Sequence, residues 1–177
     1  MQTHGASIFA ATVISVVLSA SAAAQSPGVG TRETAAESPD ALFVQQADAG
    51  GVAQMELSQL AVQQAQSADV RHLAETIVQD HARDERELAT IAAHENIALP
   101  KQIDDRHAQL RAQLSIMHGS GFDHAYIEAM LADHATMADL LKSSRATVST
   151  QELRTYITTT LPVVEGHLQM AQTVHFE

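Results

Sequence analysis

Residues 68–96 read ADVRHLAETIVQDHARDERELATIAAHEN. Val70, Ala74, Ile77, His81, Asp84, Leu88, Ile91 and Glu95 recur along this stretch at alternating spacings of four and three. That rhythm follows the 3.6 residues of a helical turn, so these side chains share one face of a long helix. A competing face, Leu73, Ile77, Asp80, Asp84, Glu87 and Ile91, holds fewer apolar residues. The first face is therefore read as the core stripe, and it points His81 inward.

The same rhythm extends outward in both directions. Upstream, Ser38-Pro39-Asp40 opens a helix over about 39–66, with Ser38 as N-cap and Pro39 at the first helical position. Ala49, Ala53, Glu56, Leu60 and Gln63 form its stripe, widened by Leu42, Val52 and Leu57. Gly50-Gly51 interrupts it, which marks a close helix–helix approach or a local bend. Downstream, Ile97-Ala98-Leu99-Pro100 ends the quoted helix, because the residue before proline resists helical geometry. Residues 101–118 read as a polar connecting helix, broken by Gly119-Ser120-Gly121. A further helix over about 122–146 carries Asp123, Ile127, Met130, His134, Met137 and Leu141 on one face. The last, over about 151–174, carries Leu153, Tyr156, Thr160, Val163, His167, Met170 and Val174, with Pro162 expected to kink it. Met130, Met137 and Met170 fall at core spacing and read as packing rather than metal ligands. The fold class is all-α: an antiparallel four-helix bundle over 41–175 with an extra connecting helix between its second and third helices. No hairpin signal, phosphate loop or nucleophile elbow is present, so neither a nucleotide nor an organic cofactor is indicated.

Ahead of the bundle, Ile8 to Ala20 is an apolar run too short to span a bilayer. Ala22 and Ala24 fit a small-x-small cleavage site, so residues 1–24 read as a signal peptide and 25–40 as a flexible linker. The segment before the run has no Lys or Arg, and an uncleaved anchor is the alternative. Cleavage leaves no stable membrane span and a periplasmic or secreted protein. The formal net charge of −11 lies wholly beyond residue 24, which argues against nucleic acid and anionic membrane surfaces as partners. A homo-oligomer or another envelope protein remains as a partner class. The chain has no cysteine, so any metal site must use nitrogen and oxygen donors.

Glu56, His81, His134 and His167 sit near the middles of the four long helices. Glu56 lies about 11 residues before the first turn and His81 about 13 after it, a height difference of about 3 Å in an antiparallel pair. His134 and His167 are offset by about 6 Å across the second turn, one helical turn. Imidazoles and carboxylates are costly to bury unless paired or metal-bound. Two readings account for the set. One transition-metal ion (Zn, Fe, Mn or Cu) could be held by all four, with Asp84 and Asp123 as additional ligands. Alternatively the residues form a metal-free hydrogen-bonded network that sets the register of the helices. Asp80 and Asp133, each preceding a histidine, fall off the stripes, as a second layer or as solvated groups. The histidines at 72, 94, 107, 118, 124 and 175 read as surface residues.

The segments Phe43…Ala49-Gly50-Gly51…Glu56-Leu57, Val78-Gln79-Asp80-His81, Phe122-Asp123…Tyr126…His134 and Thr160-Leu161-Pro162…His167-Leu168 resemble an exported bacterial family catalogued as domain of unknown function 4142. The resemblance covers about residues 41–174. It implies a ferritin-like four-helix bundle behind a signal peptide, with no established activity, and its motifs fall on Glu56, His81, His134 and His167. A di-iron carboxylate site of the ferritin-like kind needs Glu three residues before a histidine on two helices. Val78, Leu131 and Val164 stand there instead, so a single histidine-rich site is the better expectation. The alternative to a metal-binding bundle is a non-catalytic envelope or stress-related structural or interaction protein with a metal-free polar core. An oxidoreductase at the same site would need an open coordination position as well.

Overall fold

The computed structural model describes residues 38–176. The signal peptide and most of the linker expected before the helices lie outside the described residues. Five helices follow in order: α1 (Pro39–Gln64), α2 (Ala68–His94), α3 (Asp105–Ser115), α4 (Gly119–Ser144) and α5 (Gln151–Thr173). The described residues contain no strand.

Each boundary has a local cause. Ser38 accepts a hydrogen bond from the Ala41 amide at 3.1 Å, with Pro39 opening α1. α2 ends in a paired-carbonyl turn: Asn96 takes a positive φ of 56°, its amide bonds Ala93 O and the Ile97 amide bonds Ala92 O. Asp104 caps α3 through the His107 amide at 2.8 Å, and Thr150 caps α5 through the Leu153 amide at 3.3 Å. α5 runs unbroken through Pro162.

α1 packs against α2 and α4, and α5 packs against α4 and α2, so the four long helices neighbour one another in a ring. α3 touches α1 and α4 from outside that ring. The apolar interior is divided in two. One cluster gathers Phe43, Val44, Leu88, Met137, Leu141 and Tyr156; the other gathers Leu57, Leu73, Ile77, Phe122, Tyr126 and Met130. On every long helix a polar or minimal position separates the two. His81 and Asp84 fall between Ile77 and Leu88, His134 between Met130 and Met137, His167 between Val164 and Ala171, and Gly51 and Gln54 between Ala47 and Leu57. The core is therefore two apolar halves with a polar layer across the middle.

Candidate metal centre

The polar layer is built by three helices, each delivering one histidine from its four–three stripe. His81 (α2), His134 (α4) and His167 (α5) are 7, 1 and 3% exposed. Their ring centroids are 5.8 Å (81–134), 5.7 Å (81–167) and 5.3 Å (134–167) apart. One ring nitrogen from each lies within 4.8 Å of the other two.

The hydrogen bonds assign the tautomers. His134 Nδ1–H donates to Met130 O at 2.9 Å, which leaves Nε2 as a bare lone pair. His167 Nε2–H donates to Asp80 Oδ2 at 3.0 Å, which leaves Nδ1 bare. His81 Nε2, His134 Nε2 and His167 Nδ1 are all buried without a hydrogen-bond partner. Three such groups at about 1–3 kcal/mol each are a large fraction of the roughly 5–15 kcal/mol that stabilises a typical domain. Burial, then the neighbouring His134 and His167, lowers the His81 pKa to about 3. Burial, then His167, lowers that of His134 to about 4, against the opposing pull of the Met130 carbonyl and Asp133. Both rings are held in the neutral, ligating form.

These groups fit a metal ion. Each of the three offers a lone pair, and two use the other nitrogen in an outer hydrogen bond, to a carbonyl and to a carboxylate, as metal-ligating histidines do. Three imidazole nitrogens on one tetrahedral ion at ~2.0–2.1 Å lie about 3.3 Å apart. The widest pair would therefore draw in by up to about 1.5 Å. Gly51 faces this layer from α1: a Cβ built there would sit 3.6 Å from His81 Nδ1. A Cβ at Gly50 would come within 2.8 Å of Met137 Cε. The Gly50-Gly51 pair is thus a place of close helix–helix approach.

The other expected ligands lie elsewhere. Glu56 does not meet His81 across the first helix pair; its side chain is 35% exposed and its Oε2 stands 3.4 Å from Arg111 Nε on α3. The buried face of α1 includes Val44, Ala47, Ala53, Gln54, Leu57, Ser58 and Ala61, and Glu56 lies on its flank. Asp123 is buried at the far end of α4's inner face, about 16 Å along the helix from His134. There it accepts the Gln66 amide at 3.0 Å and the Ser67 amide at 2.7 Å, capping the start of α2. Asp84 stays near His81, buried, outside the three-nitrogen group, with Oδ1 3.5 Å from Arg83 Nε. Burial raises its pKa and Arg83 opposes the rise. His167 joins the group despite its sequence offset; the six residues 145–150, with Val148 buried, separate α4 from α5 and leave room for it.

Asp80, expected off the stripe as a second layer or a solvated group, is the carboxylate that holds His167, and its other oxygen is 3.2 Å from Arg83. His107 is buried rather than on the surface, with Nδ1 2.8 Å from Asp104 and Nε2 3.3 Å from Asp133. The spacing of Asp104 to His107, cap to third residue, was the available signal. The histidines at 72, 94, 118, 124 and 175 are exposed as expected.

The crystal structure of a DUF305 fragment from Deinococcus radiodurans is similar to this chain, with a TM-score of 0.67 and 15% identity, over 76% of this chain and 93% of that one. At that identity the likeness speaks to the fold alone. No curated protein matches the chain. The family model described as Domain of unknown function (DUF4142) matches residues 24–174, and the chain belongs to that family.

Proposed function

We propose that this protein is an exported, ferritin-like four-helix bundle that binds one transition-metal ion through His81, His134 and His167. The observation that carries the reading is the convergence of three buried imidazoles, each with a ring nitrogen that has no hydrogen-bond partner. A bound cation would satisfy all three at once. The apolar run Ile8–Ala20 with its Ala22-x-Ala24 site supports export.

The donor set narrows the metal. Three neutral nitrogens without thiolate or carboxylate suit Zn, Cu or Fe better than Mn, which favours oxygen donors. Three protein ligands leave a tetrahedral ion one position short. That position would allow a water or small ligand, which keeps an oxidoreductase role open to test. A metal-carrying, non-catalytic envelope role needs nothing further from the site.

The test is metal analysis of untagged protein prepared from the periplasm, beside a His81→Ala/His134→Ala variant. One equivalent of metal in the parent and none in the variant is expected, with a lower melting temperature after chelation of the parent alone. Sub-stoichiometric metal in both proteins, with melting unchanged by chelation, would remove the metal reading in favour of a metal-free polar core.

A further inference from the structure

The polar layer is open on the His81 side. A pocket of ≈ 20 Å³ adjoins His81, lined also by Asp48 and Gly51 of α1, Asp84 and Glu85 of α2, and Tyr156 of α5. That is room for a water-sized molecule. A larger cleft lined by Gln54, Arg106, His107 and Asp133 includes none of the three histidines.

The pocket's charges are unevenly matched. Asp48 has a side chain with no solvent exposure. Its Oδ2 accepts the Lys101 amide at 2.9 Å, while its Oδ1 has no hydrogen-bond partner. The Lys101 ammonium lies 3.7 Å from that Oδ1, beyond hydrogen-bonding reach, and 2.8 Å from Glu85 Oε1. Lys101 also holds a positive φ of 54°, a backbone strain for a residue with a side chain. Arg83, 3.5 Å from Asp84 and largely exposed, is turned toward solvent. A buried carboxylate oxygen without a donor is costly, and it lies beside the pocket that reaches His81.

Resting on the metal reading above, we propose that this pocket is the loading vestibule for the triad's cation. Asp48, Asp84 and Glu85 supply transient oxygen ligands, and Lys101 is the displaceable counter-charge. A hydrated divalent ion must shed water before it reaches nitrogens this deeply buried. Carboxylates that replace its water stepwise lower that barrier, since an uncompensated charge in a protein interior is strongly disfavoured. Negative potential in a low-dielectric cleft also raises the local cation concentration. The ammonium of Lys101, loosely held by Asp48, is the group an arriving dication exchanges with.

The experiment follows cobalt(II) uptake by stopped-flow absorbance on the full mature chain, at low salt (about 10 mM) and at high salt (about 200 mM), where screening lengths differ severalfold. Asp48→Asn and Glu85→Gln are expected to slow loading by about tenfold at low salt, with the final occupancy unchanged. Lys101→Met is expected to speed it, and the differences should shrink at high salt. Glu85 is on the rim, so Glu85→Gln keeps the test alive if Asp48→Asn folds poorly. If the parent binds cobalt and all three variants load at its rate, the vestibule is overturned while the metal site stands. If the parent takes up no cobalt, the metal reading falls and the vestibule falls with it.

Discussion

Asp80 Oδ2 on α2 accepts a hydrogen bond from His167 Nε2 on α5 at 3.0 Å, and so leaves Nδ1 as the free nitrogen of His167. The neighbouring oxygen of Asp80 is held 3.2 Å from Arg83, one turn along α2. A carboxylate behind a ligating imidazole orients the ring and raises its basicity. Asp80→Asn keeps the shape but weakens the acceptor, and its amide can turn an N–H toward the ring. We expect metal affinity to fall about 10–100-fold, with little change in the melting temperature of the metal-free protein. Competition titration against a chromophoric chelator measures it. Unchanged affinity would mean that Asp80 only ties α2 to α5.

The depressed pKa values of His81 and His134 make stability pH-dependent with a definite sign. Both rings stay neutral in the folded state down to about pH 3 and about pH 4. In the unfolded chain they take up a proton near pH 6.5. Below that point the unfolded state binds more protons, so stability is full above pH 6.5 and is lost as the pH falls toward 4 and 3. Two such groups steepen the loss by up to about 2.7 kcal/mol per pH unit. Urea unfolding of the metal-free protein at pH 7.5, 6.0 and 5.0 should show this slope. The His81→Leu/His134→Leu variant should be flatter by about that amount. Parallel profiles for the two proteins would place the histidines in a more polar setting than their burial implies.

The sequence carried the helices and three members of the site, and it did so for a physical reason. Along α2, α4 and α5 the histidines stand in stripes of large apolar residues such as Ile77, Leu88, Met130 and Met137, so their inward orientation is visible as an interruption of a strong pattern. α1 hides its register. Its buried face carries Asp40, Asp48, Gln54 and Ser58, polar residues that register as surface, with the half-buried Gly51 among them. Leu60, only partly buried, marks a flanking face, and the half-buried Glu56 lies on it. The Asp80–His167 bond was invisible for a different reason: it joins positions 87 residues apart, and one of them lies off its helix's core face.

Asp123 separates stability from binding. It accepts two amides at the α1–α2 connection, at 3.0 and 2.7 Å, and lies far along α4 from His134. Hydrogen bonds to a charged acceptor contribute about 1.5–3 kcal/mol each to stability. Asp123→Ala should therefore destabilise the protein by about 3–6 kcal/mol and leave metal affinity per folded molecule unchanged. Glu56→Gln should change affinity as little and stability less, because an exposed ion pair such as Glu56–Arg111 is worth about 0–1 kcal/mol. Denaturant unfolding and metal titration on the same preparations separate the two quantities. Loss of affinity in either variant at full folding would return that carboxylate to the ligand set.

Replacing all three histidines by leucine sets the metal-bound core against a purely structural one. If the bare lone pairs of His81, His134 and His167 are kept for a ligand, they burden the metal-free protein. Apolar side chains would then join the two halves of the core into one. Exchange of buried polar groups for well-packed apolar ones is often neutral or stabilising by about 1–4 kcal/mol. We expect the metal-free triple variant to melt higher than the metal-free parent by at least about 2–4 °C for each kcal/mol gained. It should also show no response to added metal or chelator. If the histidines instead form a satisfied network that specifies the packing, the variant loses cooperativity in thermal unfolding and melts lower than the parent. The comparison must be made in chelator, because a bound ion at 100-fold its dissociation constant adds about 2.7 kcal/mol to the parent and would mask the gain.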